Sequence, residues 1–209
     1  MPLRGFTLAE VLITLGIIGV VAALTIPTLM QNLNRRDTIA KVKKVHSVLS
    51  NAAQLSVQEN GLPTTWGLED RTNLQSTVVA IADKIKPFLK ISKDCGTEVS
   101  ACGSGCYSRV NDDSIVHCMH GNHVYKLILT DGTYLYFAGD SNQNHVTDFW
   151  LDVNGSKGPN KLGVDMFSYW WDIKTGLIKG LGPIDDPFTQ NWNFTNYILF
   201  HDNMDYLDE

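Results

Sequence analysis

Polar and apolar positions divide the chain sharply at its start. From Phe6 to Leu29 the only charged side chain is Glu10, and Val11 to Leu29 holds nothing more polar than Thr14, Thr25 and Thr28 beside Gly16, Gly19 and Pro27. At helical rise that stretch covers about 28 Å, close to the hydrocarbon thickness of a bilayer. It is apolar all round, whereas a helix in the core of a soluble protein normally keeps a polar stripe. Val21, Ala22 and Ala23 supply small residues that a signal peptidase accepts, but the run is longer than a usual signal h-region and contains Glu10. The pattern predicts a retained membrane-spanning helix.

Beyond Pro27 the period remains helical while the pattern becomes amphipathic. Ile39, Val42, Val45, Leu49, Ala52 and Ala53 recur at spacings of three and four, with Arg36, Lys43, Lys44, Gln54 and Glu59 between them. The helix is expected to run to Asn60, where Gly61 supplies a stop and Pro63 prevents resumption. A second helical pattern covers Asn73 to Lys86, with Leu74, Val78, Ile81, Ala82 and Ile85 on one face, Asn73 or Thr72 as cap and Pro87 as stop. After it come short β patterns. His123 to Leu129 and Thr133 to Ala138 flank the turn Thr130, Asp131, Gly132. Val146 to Val153 and Met166 to Ile173 read as further strands, and Thr175 with Gly176 as a turn into Leu177 and Ile178. Trp192, Phe194, Tyr197 and Phe200 alternate loosely and are expected to form a final strand or to cover the sheet. His201 to Glu209, with Asp202, Asp205 and Asp208, reads as a solvated acidic tail. The fold class predicted is α+β: a helical spine packed on an antiparallel sheet.

Charge changes this picture at two places. An ionised carboxylate inside an apolar span costs roughly 2.5 to 3.5 kcal/mol at the bilayer centre, less near the interface, and such residues usually mark a function. A plain anchor has no need of Glu10. Arg35, Arg36, Lys41, Lys43 and Lys44 follow the span while only Arg4 precedes it, a count that by itself would keep the large domain in the cytoplasm. Long domains are translocated despite such charge, and the cysteines favour export. The chain carries 17 basic and 22 acidic residues, a formal net charge of −5, so the basic cluster reads as a solvated face, and nucleic acid is not an expected partner.

Arg4, Gly5, Phe6, Thr7, Leu8 and Glu10, followed by the apolar run with Gly16, Gly19 and Pro27, resemble the N-terminal signature of type IV pilins and the pseudopilins of type II secretion (class III prepilins). The resemblance covers about the first thirty residues. It implies a cut between Gly5 and Phe6 by a prepilin peptidase that also methylates the new N-terminal Phe6, and a role for Glu10 in aligning incoming subunits. It implies a pilin-like head on the helix, with other copies, minor pilins and an inner-membrane assembly platform as partners, and membrane lipid before assembly. The expected location is the bacterial inner membrane, single-pass with the head outside the cytoplasm, then a periplasmic or cell-surface filament. Cutting at Gly5 removes Arg4 and places a cationic amine one helical turn before Glu10, which a neighbouring copy's amine could equally satisfy. Gly16, Gly19, Ala22 and Ala23 allow close helix approach, and Pro27 is expected to kink or loosen the helix. The domain reading is a leader over 1–5, a transmembrane and polymerisation helix over 6–30, its amphipathic continuation over 31–60, and a head over 61–209.

Cys95, Cys102, Cys106 and Cys118 are confined to one irregular segment, 95–118. Export and even parity favour two disulfides, with all three pairings open. A zinc site using His117, His120 or His123 is the rival, but Cys95-x6-Cys102-x3-Cys106 lacks the paired-ligand knuckle. Between Asp140 and Asp165, the residues Asp140, Asn142, Asn144, Asp148, Asp152, Asn154 and Asp165 gather among glycines. Turn chemistry alone explains that composition. An EF-hand fails, since His145 stands where glycine is needed and no glutamate closes the loop. The resemblance implies calcium as a cofactor to consider, since some pseudopilins bind it in a late loop of the head. Asp152, Asn154 and Asp165 are then the expected ligands. No nucleophile elbow, phosphate loop or His-Glu-x-x-His helix is present. The reading is therefore a structural subunit and not an enzyme, with a membrane-anchored, non-polymerising adhesin or sensor as the alternative.

Overall fold

The computed structural model describes residues 5, 7–68, 73–98, 102–103, 106–110, 112–119, 121, 123–139, 147–185 and 194–208, with backbone only for 112–117. The chain separates into two compact units, residues 1–37 and 38–209. Helix α1 is Leu8–Asn60 and passes through Pro27 without interruption. In the first unit its apolar residues are exposed on every side, Leu12, Ile13, Ile17, Ile18 and Leu24 among them. Among the described residues α1 is the one helix long and apolar enough to cross a membrane. Two threonines along it bond to their own helix: Thr14 donates to the carbonyls of Glu10 and Val11, and Thr25 to that of Val21. Their hydroxyls therefore need no water.

The second unit is the head. Val42, Val45, Leu49, Ala52, Ala53 and Ser56 are buried along α1, the stripe that the three-and-four spacing predicts. Helix α2 is Leu74–Ile85, and its Asn73 cap accepts from the Ser76 N–H at 3.1 Å. Eight strands follow: β1 Ile91–Gly96, β2 Cys106–Arg109, β3 Asp112–Cys118, β4 Val124–Leu129, β5 Tyr134–Gly139, β6 Thr147–Asp152, β7 Met166–Asp172 and β8 Leu177–Gly180. Helix α3, Thr195–His201, closes the order. Six strands form an antiparallel sheet in the order β1-β4-β5-β6-β7-β8, while β2 and β3 pair separately. The architecture is α+β and pilin-like.

Strand alternation assigns the two sheet faces. Leu127, Leu135, Phe137, Phe149, Leu151, Phe167, Tyr169 and Trp171 are buried on the face turned to α1 and α2. Tyr169 Oη donates to the Val42 carbonyl at 2.8 Å and its ring stacks on His46, fixing α1 to β7. Phe137 and Phe149 meet edge to face at 5.0 Å, and Trp171 packs against Trp66 at 5.3 Å and Phe149 at 6.1 Å. On the opposite face, Tyr107 of β2 stacks on Trp150 at 5.0 Å, and Ser108 exchanges backbone bonds with Asn160 and Leu162. Lys126, buried on this face, donates to the carbonyls of Glu98 and Gly103. A buried ammonium needs such acceptors to offset its desolvation.

Three expectations need correction. The segment 95–118 is not merely irregular, because it contains the end of β1 and the β2–β3 pair. Cys95 is bonded to Cys102, and Cys106 to Cys118 across that pair. All four thiols are thereby engaged. Of the two forms expected for the last aromatic residues the strand is wrong: Phe194 caps a helix that carries Tyr197 and Phe200, the aromatic spacing is three, and the helix is tied to the sheet by the Ser168 N–H of β7, which donates to Thr195 Oγ1 at 3.1 Å. The acidic end is not a free tail. Met204 and Tyr206 are buried, Tyr206 Oη donates to the Gly163 carbonyl at 2.6 Å, and Asp202 pairs with Lys43 at 2.6 Å. Gly163 must be glycine for this docking, since its φ is +77° and a Cβ there would fall 2.6 Å from the Phe194 ring. Thr72, His120, Trp192 and Glu209 lie outside the described residues.

Candidate functional site

The start of α1 is built by a capping box that the sequence reading missed, although Thr7-Leu8-Ala9-Glu10 carries its signature. Thr7 donates its N–H and its hydroxyl to Glu10 Oε2 at 2.8 and 2.9 Å, and Thr7 Oγ1 accepts from the Glu10 N–H at 3.3 Å. Two of the helix's four orphan N–H groups are satisfied in this way. The Glu10 carboxylate thus has partners within its own chain, where the sequence reading looked first to a neighbour's amine. The amino end of a helix also favours a negative charge. Gly5 precedes the cap, and Phe6 lies outside the described residues. A Cβ at Gly16 or Gly19 would meet nothing within 4 Å, so nothing among the described residues of a single chain requires glycine there.

The second candidate lies in the head, where the turn after β6 meets the segment before β7. Asp152 and Asp165 are buried, and Asn154 joins them: its side-chain amide donates to Asp165 Oδ2 at 3.0 Å. Asp152 Oδ1 accepts the N–H groups of Asn154 and Gly155 at 3.1 and 2.8 Å. Asp165 accepts those of Asn160 and Lys161 at 2.9 and 2.6 Å. Burial pushes the Asp152 carboxyl up to about 7 against the pull of the Asn154 N–H, and the neighbouring Asp165 charge pushes the same way. Asp165 is also raised by burial, opposed by the N–H donors of Lys161 and Asn160.

The sequence-predicted trio is therefore gathered in one hydrogen-bonded knot. Its bonds are those of aspartate-stabilised turns, which agrees with the turn reading. Asp140, Asn142 and Asn144 lie outside the described residues, and Asp148 is on β6. The knot retains capacity for a hard cation. Asn154 Oδ1 and Asn160 Oδ1 are buried without a hydrogen-bond partner among the described residues, and ionised carboxylates keep lone pairs beyond those their donors occupy. A cavity of about 270 Å³ opens beside them, lined by Tyr134, Tyr136, Asp152, Gly155 and Asn160. Oxygen donors of this kind fit calcium better than zinc. Among the described residues no group of three or more His, Cys, Asp or Glu is arranged to hold a metal ion, so two carboxylates and amide oxygens are the set on offer.

A spine helix with an apolar exposed start, capped by Thr7 and Glu10, and an antiparallel head define a pilin-like protein. Comparison with known proteins agrees: a model of the prokaryotic N-terminal methylation motif matches residues 4–26. The chain belongs to a family described as "Family of unknown function (DUF6613)", whose model matches residues 28–208. The chain is 36% identical over 62 residues to type II secretion system core protein G of Pectobacterium carotovorum subsp. carotovorum. It is 34% identical over 62 residues to the protein of the same name from Dickeya chrysanthemi. Each alignment covers 30% of this chain and 40% of the relative's length. No solved structure matches the chain. The motif and these relatives support a pilin- or pseudopilin-type subunit and not an enzyme, and the single apolar helix fits a membrane-anchored pilin.

Proposed function

We propose that the chain is a structural subunit of a type II secretion pseudopilus or a type IV pilus, cut between Gly5 and Phe6, methylated on Phe6 and polymerised through α1. The observation that carries this reading is the start of α1, where a long apolar stretch exposed on all sides begins with one carboxylate. Its partners are then the prepilin peptidase and methyltransferase, other copies, minor pilins and an assembly platform. The named relatives weight the choice towards secretion. In the bilayer lipid covers the exposed residues, and in a filament other copies of α1 do so. Gly16 and Gly19, open in a single chain, are where a second helix can approach most closely.

N-terminal mass spectrometry tests the reading. A mature chain beginning with methylated Phe6 is expected, and an intact Met1 or a cut after Ala23 overturns it. Protease digestion of intact spheroplasts is expected to degrade the head, which places it outside the cytoplasm.

Calcium belongs to the proposal as a bound cofactor of the knot, held by Asp152, Asn154 and Asp165, where it would neutralise two buried carboxylates. The melting temperature should rise on adding calcium and fall with chelator. The pH dependence has a definite sign. Because the folded carboxyl of Asp152 titrates near 7, above its ordinary 3.8, the native state binds the proton more tightly than the unfolded chain does. In the absence of calcium its contribution to stability is thus greatest at low pH and is lost as pH rises through about 4 to 7. Asp152→Asn keeps an oxygen for the two backbone donors and removes the charge. In chelator the variant should melt higher than the parent at pH 8 by about 3 °C or more, a shift worth roughly 1 kcal/mol for this size. At pH 4 the two should be nearly equal, and the variant should lose the response to calcium.

A further inference from the structure

Two features of the head lie at opposite edges of the sheet and complement one another. At the β1 edge an open groove of about 460 Å³ runs between α1 and the start of β1, with Val45, Val48, Phe88 and Leu129 as its floor and Lys44 and Lys90 on its rim. Lys44 is paired with Asp131 at 2.7 Å. Lys90 is exposed and its ammonium has no partner among the described residues. Two of its lining residues are joined by backbone, the Thr130 N–H donating to the Lys90 carbonyl at 3.1 Å.

At the β8 edge α3 presents a knob. Phe200 is 68% exposed, more than any other large apolar residue among the described residues of the head, and Ile184, 42% exposed, is tied to the same helix by the 3.0 Å contact of His201 Nε2 with the Ile184 carbonyl. Asn196 ties α3 to the end of β8 by donating to the Gly182 carbonyl at 2.6 Å. Asp185 follows Ile184 in the chain, Asp202 and Asp205 follow Phe200 by two and five residues, all three are exposed, and Asp185 and Asp205 have no side-chain partner among the described residues, while Asp202 pairs with Lys43. An exposed aromatic residue with unpaired aspartates close to it in the chain, and an apolar groove whose Lys44 is matched by Asp131 and whose Lys90 is left over, are complementary in shape and in the sign of their unmatched charge. With β1 at one edge of the sheet and β8 at the other, a knob and groove of one head cannot meet each other. Only two copies can join them.

We propose that the Phe200 knob of one copy seats in the Val48, Phe88 and Leu129 groove of a second copy, with Asp205 and Asp185 facing Lys90. This inference rests on the filament reading and specifies how the heads meet. The contact is heterologous, different surfaces on the two partners, and such contacts propagate into rings or open helical arrays. One knob supports a weak contact, and repetition along a filament anchored through α1 makes it effective. Register between heads is then set by charge while the apolar pair excludes water.

The experiment places benzoylphenylalanine at position 200 of the full-length chain in cells, irradiates, and maps chain-to-chain adducts by mass spectrometry. Adducts are expected within residues 44–51 or 86–93 of the second copy. Lys90→Glu should lower their yield about fivefold, the factor that roughly 1 kcal/mol carries, and adding Asp205→Lys should restore it. Both positions are exposed, so the parent melting temperature is expected for each variant and is measured alongside. Adducts elsewhere on the second copy, adducts only to other proteins, or a yield indifferent to Lys90 overturn the pairing. Failure of the filament reading shows separately, as a wild-type chain without filaments and without methylated Phe6, a readout that touches neither Phe200 nor Lys90.

Discussion

A Glu10→Ala chain is expected to reach the membrane at the parent level and to form no filaments, scored by membrane fractionation and electron microscopy. Two contributions of this carboxylate must be separated. Its bonds to Thr7 cap the helix, and loss of such a cap costs about 0.5 to 2 kcal/mol. That cannot melt a helix of 53 residues whose apolar start is held by lipid. The charge is the other contribution, and Glu10→Gln isolates it, because the amide oxygen still accepts from Thr7 while the negative charge is gone. Assembly lost in both variants assigns the effect to charge, as pairing with a neighbour's new amine requires. Assembly kept in Glu10→Gln assigns it to the cap, and the intersubunit role of the carboxylate fails.

The largest effect on stability is expected at Trp171. Its side chain is fully buried between the Trp66 turn and Phe149 of β6, and truncating a buried tryptophan costs about 3 to 5 kcal/mol. Trp171→Ala should therefore lower the melting temperature by about 10 °C or more, with loss of near-ultraviolet dichroism. The indole N–H has no hydrogen-bond partner among the described residues. Trp171→Phe consequently gives up volume but no bond, and should lose less than half as much. Equal losses would mean that the N–H is satisfied in solution.

How much of this was legible depended on whether local period and tertiary burial agreed. The α1 stripe from Val42 to Ala53, the α2 face with its Asn73 cap, and the strands around Thr130, Asp131 and Gly132 follow a single period each, and the structure places them accordingly. Strand β1, Ile91 to Gly96, is a polar edge strand with bulges, so no alternation announces it. The β2–β3 pair is short and draws on a disulfide, which periodicity does not record. In α3 the clue was present, since Phe194, Tyr197 and Phe200 are three apart, but a seven-residue helix offers too few repeats to outvote an alternation reading. Lys126 sits between two buried strand residues and gave no sign of burial, because the carbonyls that hold it belong to Glu98 and Gly103, far along the chain. At the candidate sites, composition named Asp152, Asn154, Asp165 and Glu10. It did not show that every one of them already answers a backbone N–H or a neighbouring side chain.

The position of Thr7 has a further consequence. A cut after Gly5 leaves the helix start signal intact, because both halves of the capping box lie downstream of it. The uncut and the mature chain would then begin the same helix at the same residue. Removing the leader would exchange the Arg4 cation for an α-amine next to the cap and alter nothing in the backbone that follows. On the proposed cut, maturation would be an edit of charge, and a subunit waiting in the bilayer would already have the shape in which it is used.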